Sequence, residues 1–174
     1  VGVDAVLFNG LNVTAEGYYQ RRKDIWVSSE GKYTNVLGVD APFENAGIVD
    51  SYGMELGLNY TKRLGDVVFN LGGNFAWNKN EIKEQLEEPR LYNNLVQTGN
   101  RLGQVYGMIA EGFFKDEEDI ANSLTQNFST VVPGDIKYKD QNKDGKIDSN
   151  DYYPIGYTSM PQITLGLHGG ITFK

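Results

Sequence analysis

A twelve-residue acidic segment contains the residues of this chain that are best suited to bind a metal ion. It runs from Asp140 to Asp151 and reads DQNKDGKIDSND. In calcium loops of this length, oxygen atoms at alternate positions surround the ion, and a glycine at the sixth position, here Gly145, allows a sharp turn. The predicted ligands are the side chains of Asp140, Asn142 and Asp144, the carbonyl of Lys146, Asp148 directly or through water, and Asp151. We therefore predict a structural Ca²⁺ in this segment.

Two features distinguish this segment from the calcium loop of an EF-hand. Its twelfth position is Asp151 rather than Glu, and the shorter side chain makes bidentate binding harder. The flanking residues 135–139 and 152–155 are typical of extended chain rather than of paired helices. An exposed turn rich in Asp, Asn and Gly is the alternative interpretation. Without helices to open, an ion here is expected to stiffen a loop rather than to act as a sensor.

The sequence contains little that indicates catalysis. His168 is the only histidine and lies on the polar face of a predicted strand, where a structural role is expected, and the chain has no cysteine. The acidic pairs Glu87-Glu88 and Glu117-Glu118 could in principle serve a glycosidase, but both lie in polar connecting sequence. The second pair predicts the acidic first turn of a short helix. We predict no catalytic residues and no enzyme activity.

The charge of the chain excludes nucleic acid as an expected partner. The net charge is −7 and the isoelectric point is about 4.7, whereas nucleic-acid binding needs a basic surface. Basic residues cluster only at Arg21, Arg22 and Lys23. This cluster is expected to form the solvated base of a loop, and contact with anionic lipid head groups is the alternative.

The elements that must position these residues are predicted to be long β-strands. From Val67 to Asn78, apolar residues alternate with Asn, Gly and Ala, so one face of the strand is apolar and the other is polar. The same alternation recurs in several segments and predicts strands near 1–8, 11–28, 48–64, 67–82 and 161–174. The alternating run from Val67 to Asn78 is about as long as the 9 to 11 residues that a tilted transmembrane strand requires.

The connections between these strands are very unequal. Asn9-Gly10 and Gly65-Asp66 predict two-residue hairpin turns, whereas the segments 29–47 and 83–160 are long and polar. Outer-membrane barrels have short turns at one end and long loops at the other. The predicted fold class is therefore all-β: an antiparallel meander that forms part of a transmembrane β-barrel, with long extracellular loops and one short helix.

A soluble protein is the alternative to a barrel. In that interpretation, the apolar faces form the core of a calcium-stabilised β-rich module that binds carbohydrate. Sandwich strands are usually short, with turns every 8 to 12 residues, whereas the strands predicted here are longer. The barrel is therefore favoured, with outer-membrane lipid as the partner of the apolar faces.

Several motifs in order resemble SusC/RagA-type TonB-dependent outer-membrane transporters. The matching segments are VGVDAVLFNGLNV before Tyr18-Tyr19, NAGIV and GMEL at 45–49 and 53–56, RLGQVYG at 101–107, EGFF at 111–114, and PGDIKY at 133–138 leading into the acidic segment. The order and spacing of the motifs cover nearly the whole of residues 1–174. The resemblance is to a C-terminal part of the barrel.

This resemblance implies a function that the residue pattern alone does not give. Transporters of this type are 22-stranded barrels with an N-terminal plug. They import large nutrients, glycans or peptides, with energy supplied through the TonB system, and a SusD-like surface lipoprotein caps the barrel. The chain contains neither a plug nor a recognisable signal peptide, so it is expected to be a segment of a longer outer-membrane protein.

Overall fold

A single five-stranded antiparallel sheet dominates the computed structural model, which describes residues 1–8, 10–30, 32–33, 38 and 40–173. Its strands are β1 (Gly2–Leu7), β2 (Leu11–Ser28), β3 (Phe43–Leu64), β4 (Val67–Glu84) and β9 (Ile163–Phe173), paired in the order β1-β2-β3-β4-β9. The predicted all-β meander of long antiparallel strands is confirmed. The third strand begins at Phe43, whereas the alternation predicted a start at 48.

The register of the sheet places the apolar residues of neighbouring strands on one face. Leu56 of β3 pairs with Ala15 of β2 and with Phe75 of β4, and Phe75 in turn pairs with Leu165 of β9. Because side chains alternate along each strand, this in-phase pairing keeps one face apolar across the whole sheet. We call these the apolar face and the polar face.

Tight turns join the strands at one end of the sheet. β3 and β4 are connected by Gly65 and Asp66 alone, and Gly65 has a positive φ of 61°, which glycine adopts without strain. Between β1 and β2, the amide of Gly10 donates to the carbonyl of Leu7 at 3.2 Å. Asn9, the other half of that predicted turn, lies outside the described residues.

A bulge interrupts the pairing of β2 with β3 near the other end. Asp24 has a φ of 57°, and the register shifts between Arg22 and Ile25. The cluster of Arg21, Arg22 and Lys23 therefore lies within a paired strand, next to a bulge, rather than at the base of a loop.

The long segment between β4 and β9 is folded within itself. It contains two short antiparallel strand pairs, one formed by β5 (Tyr106–Gly107) with β8 (Tyr153–Pro154), the other by β6 (Ala110–Phe113) with β7 (Ile136–Tyr138). The predicted short helix is α1 (Glu117–Ala121), which begins where the Asp116 carboxylate accepts a hydrogen bond from the Asp119 amide at 2.8 Å. Single 3-10 turns lie at Asn93–Leu95 and Ser149–Asp151. No helix in the described residues is long and apolar enough to cross a membrane.

Buried residues are few in the described part of the chain and are divided between the sheet and this long segment. Among the described residues, the buried hydrophobic side chains are Ile82, Phe114 and Ile147. The edge of β4 is covered near Ile82, whose amide donates to the carbonyl of Asn100 at 2.8 Å and whose carbonyl accepts from the amide of Gly99 at 2.8 Å. The long segment is thereby hydrogen-bonded to the end of the sheet.

Candidate functional site

The apolar face of the sheet is exposed in this chain. On β9, Leu165 is 67% and Leu167 is 79% exposed, and Leu71 of the neighbouring strand is 65% exposed. These exposures show that no second layer covers this face within the described residues. The two remaining sheets are the two strand pairs of the long segment. A continuous apolar surface of this kind marks a contact with another apolar phase or partner.

The opposite face of the sheet is lined by small and polar side chains. His168 lies across from Gly72, and its Nε2 atom is 3.0 Å from the Oδ1 atom of Asn59. A hydrogen bond from the Thr61 hydroxyl to Asn70 Oδ1 at 3.0 Å continues the same polar surface. The structure thus places His168 on the polar face of the sheet, where its ring contacts the Asn59 side chain.

Aromatic and charged side chains succeed one another along the apolar face toward the long segment. The rings of Tyr52 and Trp77 lie 5.9 Å apart on adjacent strands. Directly beyond them, Arg21 donates two hydrogen bonds to the carboxylate of Asp50, at 2.7 and 2.6 Å. This bidentate pair follows the aromatic side chains, so from Met54 to Asp50 of β3 the face changes from apolar to aromatic to ionic.

The acidic segment 140–151 forms a compact turn in which carboxylate and amide oxygens accept backbone N–H groups. Asp140 accepts from the amides of Lys143 at 2.6 Å and Gly145 at 3.0 Å. Asp144 Oδ1 accepts from the Lys146 amide at 3.1 Å. Gly145 has a φ of 88°, which explains the need for glycine at the sixth position. These oxygens therefore belong to one ordered turn.

Asp151 closes the segment from the opposite end. Its side chain is fully buried, at 0% exposure, and its Oδ1 atom accepts from the amides of Gln141 at 2.8 Å and Asn142 at 3.2 Å. Its Oδ2 atom accepts from the amide of Asp148 at 2.9 Å. The twelfth residue therefore joins the start of the segment to its end through backbone hydrogen bonds.

Ile147 attaches the acidic segment to the rest of the long segment. Its side chain is 1% exposed, and it forms a parallel bridge to Gln126, with its amide donating to Thr125 and its carbonyl accepting from Asn127, both at 2.9 Å. The Gln126 side chain in turn accepts from the Tyr138 amide at 2.9 Å. The loop is thus held in place by a buried side chain and its backbone.

The remaining predicted ligand side chains surround the same turn. Asn142 Oδ1 accepts from the Asp144 amide at 2.9 Å, and Asp148 Oδ1 accepts from the Asn150 amide at 2.8 Å. That second hydrogen bond lowers the pKa of Asp148 below its ordinary value despite partial burial, and the Lys146 ammonium lowers it further. In the described residues, no three Asp, Glu, His or Cys side chains converge closely enough to hold a metal ion by themselves. A cation would therefore also need Asn142 and the Lys146 carbonyl.

Glu87 organises the start of the long segment, and the sequence offered no sign of this role. Its carboxylate accepts hydrogen bonds from the amide of Gln97 and from both the amide and the hydroxyl of Thr98, at 2.9 to 3.0 Å. Although burial acts to raise it, these hydrogen bonds lower the pKa of Glu87 below its ordinary value. The pair Glu87-Glu88 thus contains one structural carboxylate and one exposed neighbour.

Comparison with known proteins relates the chain to one class. No protein-family profile matches it. A curated relative, TonB-dependent receptor P26 of Formosa agariphila, is 26% identical over 194 aligned residues, which cover 100% of this chain and 18% of the relative. The chain therefore spans about a fifth of the length of that protein.

Solved structures share the fold of this chain. The RagAB peptide importer in its closed-closed state matches 99% of this chain and 19% of its own, with a TM-score of 0.66 and 19% identity. The RagAB peptide transporter matches the same shares, with a TM-score of 0.67 and 19% identity. At these identities the structural matches establish the fold.

Together these findings confirm the resemblance to a segment of a SusC/RagA-type TonB-dependent transporter that the sequence motifs predicted. The matching proteins are a receptor and a transporter, which supports the prediction that the chain is not an enzyme.

Proposed function

We propose that this chain forms part of the wall of an outer-membrane TonB-dependent transporter, with the apolar face toward lipid and the polar face toward the lumen. The exposed apolar face carries this proposal. β4 and β9 pair from Val67 to Trp77. Eleven residues at about 3.3 Å each, tilted by about 45°, span about 25 Å. That height equals the apolar band of an outer-membrane barrel.

The order of side chains along the apolar face supports the same orientation. Tyr52 and Trp77 lie at the end of the apolar surface nearest the long segment, as the aromatic girdle of a barrel does. The Arg21–Asp50 pair then lies at the height of lipid head groups. In this orientation the tight turn at Gly65 is periplasmic and the long segment is extracellular.

The transported nutrient is a large molecule, a glycan or a peptide, and a SusD-like surface lipoprotein is the partner. The match to a structure named a peptide importer supports this class of function, and the similarity to a TonB-dependent receptor supports energy coupling through TonB. In a soluble carbohydrate-binding module, by contrast, Leu165 and Leu167 would be buried by a second layer.

The experiment uses the full-length protein that carries this sequence. It is expected to fractionate with the outer membrane, to require detergent, and to migrate as a heat-modifiable barrel in electrophoresis. Nutrient uptake is expected to stop when the proton gradient is collapsed and when TonB is deleted. Recovery of the full-length protein in the soluble fraction, without detergent, would refute the proposal.

We further propose that the acidic segment binds a structural Ca²⁺ in the extracellular part of this transporter. The donor set is made of hard oxygen ligands, and Asp140, Asn142 and Asp144 already lie in one ordered turn. The buried Oε1 atom of Gln141 has no hydrogen-bond partner, and the ion's water shell is one partner that would satisfy it. The ion would supply charge neutralisation and stiffness, not catalysis.

Calorimetry with CaCl₂ on the EDTA-treated full-length protein tests this second proposal. Binding is expected in the wild type and in Asp116→Ala, which removes the carboxylate that caps α1 outside the loop. It is expected to disappear in Asp144→Ala. At a calcium concentration of about 100 times Kd, the ion would stabilise the folded loop by about 2.7 kcal/mol. If the wild type shows no calcium binding that a chelator reverses, the calcium proposal is refuted.

A further inference from the structure

A cleft with a volume of about 580 Å³ lies between the two strand pairs of the long segment. Its walls include four aromatic side chains and three polar ones: Tyr106, Phe128, Tyr138 and Tyr152, with Asn127, Asp148 and Ser149. This volume lies within the range of about 300 to 1,000 Å³ that is typical of sites for small ligands. Neither the fold nor the calcium proposal accounts for it.

The aromatic side chains present apolar surface to the cleft. Phe128 is 48% exposed and Tyr152 is 40% exposed, although both are large and largely apolar. The ring of Phe128 packs edge-on against that of Tyr138, with centroids 5.7 Å apart and planes at 68°. This contact limits the motion of the Phe128 ring, so an aromatic surface is presented at low entropic cost.

Backbone hydrogen bonds hold the other wall in place. The side-chain amide of Asn94 donates to the carbonyls of Asn150 at 2.7 Å and Tyr152 at 2.8 Å. The hydroxyl of Tyr106, also in the lining, donates to the carbonyl of Val96 at 2.8 Å. The cleft is therefore formed by segments that are joined to each other and is organised before a ligand binds.

The charges of the cleft favour a neutral ligand that is rich in hydroxyl groups. Among the described residues, its lining contains one ionisable acid, Asp148, and no Lys or Arg. The Lys146 ammonium lies 3.5 Å from Asp148 Oδ2 and offsets that single charge. A sulfated or acidic polymer would meet no cation among the lining side chains. The amide of Asn127, the hydroxyl of Ser149 and the Asp148 carboxylate are suited to hydrogen bonds with uncharged hydroxyls.

We propose that this cleft binds a neutral glycan, with a sugar ring packed on Phe128 or Tyr152 and its hydroxyls bonded to Asn127, Asp148 and Ser149. The proposal rests on the proposed nutrient transporter and specifies its substrate class. The C–H face of a sugar ring packs on aromatic side chains, while the hydroxyls at its edge need polar partners. An extended peptide instead obtains most of its binding from the main-chain groups of a strand edge.

The test begins with the detergent-purified full-length protein on an array of neutral oligosaccharides, beside a library of uncharged hexapeptides. The strongest glycan is then titrated by calorimetry. Phe128→Ala and Tyr152→Ala are expected to weaken binding by about tenfold each, the factor that corresponds to about 1.4 kcal/mol. Asn127→Ala, which removes only an amide group, is expected to weaken it by a smaller factor. Phe113→Ala is the matched control, since Phe113 is even more accessible, at 67% exposure, but lies outside the cleft.

The results distinguish failure of the cleft proposal from failure of the transporter proposal. Heat-modifiable migration first shows that each variant folds as a barrel. No glycan bound by the wild type, preferential binding of peptides at Phe128, or an equal loss in Phe113→Ala would overturn the cleft assignment. If TonB-dependent uptake persists and the cleft variants bind glycan like the wild type, only the cleft fails. If glycan binds at Phe128 but no uptake occurs, only the transporter proposal fails.

Discussion

A charged residue at the centre of the apolar face should destabilise the inserted barrel, whereas the same residue on the adjacent polar position should be tolerated. Leu167 lies near the middle of the apolar face, opposite Gly73, and is 79% exposed. Arginine at the lipid-facing midplane of a barrel costs about 2–4 kcal/mol. At about 1.4 kcal/mol per factor of ten, Leu167→Arg should lower the folding equilibrium constant by about 30- to 700-fold.

The matched control is His168→Arg, one residue further on the same strand and on the opposite face. It removes the contact of 3.0 Å with Asn59 Oδ1, which is worth about 1 kcal/mol, and leaves the new charge in a polar lumen. Folding of the full-length protein into lipid vesicles, titrated with urea and followed by heat-modifiable migration, measures both variants. Equal losses for Leu167→Arg and His168→Arg would refute the assignment of the two faces.

Three further predictions concern the long segment and the packing of the sheet. Folding lowers the pKa of Glu87, so the stabilisation from this carboxylate is complete above its ordinary pKa near 4.5 and is lost as the pH falls through the lower folded pKa. In that pH range, hydrogen exchange of the Gln97 and Thr98 amides, corrected for intrinsic rates, should become faster in the wild type and in Glu88→Gln. The exchange in Glu87→Gln should show no such pH dependence. Ile147→Ala should destabilise the long segment by about 2–5 kcal/mol and allow proteases to cleave it. Ile136→Ala, at a site that is 38% exposed, should have neither effect. Equal proteolysis of the two variants would contradict the burial of Ile147. Gly72→Ala should lower the free energy of unfolding, measured by urea titration, by about 1–3 kcal/mol, because the new Cβ would meet the His168 ring and the Asn59 amide. Gly170→Ala, whose Cβ would meet open space, should change it by no more than about 0.5 kcal/mol. The reverse order would show that the register is wrong.

The main sheet could be predicted because its signal is local. Alternation with a period of two repeats along each strand, and the two-residue turn at Gly65 fixes the register of β3 with β4. The start of β3 was missed because residues 43 to 47, FENAG, do not alternate clearly. There the pairing with β2 continues across a bulge, so tertiary contacts decide the strand boundary.

The internal structure of the long segment could not be predicted in the same way. Its strands are only two to four residues long. β5 pairs with β8 although β6, the helix, β7 and the acidic segment lie between them in the sequence. Such pairings leave no periodicity in the sequence. The supporting side chains, Glu87, Asn94 and Gln126, act through hydrogen bonds to backbone groups that are distant in sequence. The spacing of the acidic loop, by contrast, predicted the positive φ at Gly145.

Collisional accessibility of spin labels along β9 tests most directly whether the apolar face meets lipid. Single cysteines would be placed at each position from 163 to 173 of the full-length protein, in a background without other cysteines, and reconstituted in vesicles. If the apolar face meets lipid, accessibility alternates with a period of two: oxygen reaches the labels at 165, 167 and 171, and a water-soluble nickel complex reaches those at 164, 168 and 172. Labels at 165, 167 and 171 that neither reagent can reach would show that protein covers this face, and would contradict the account.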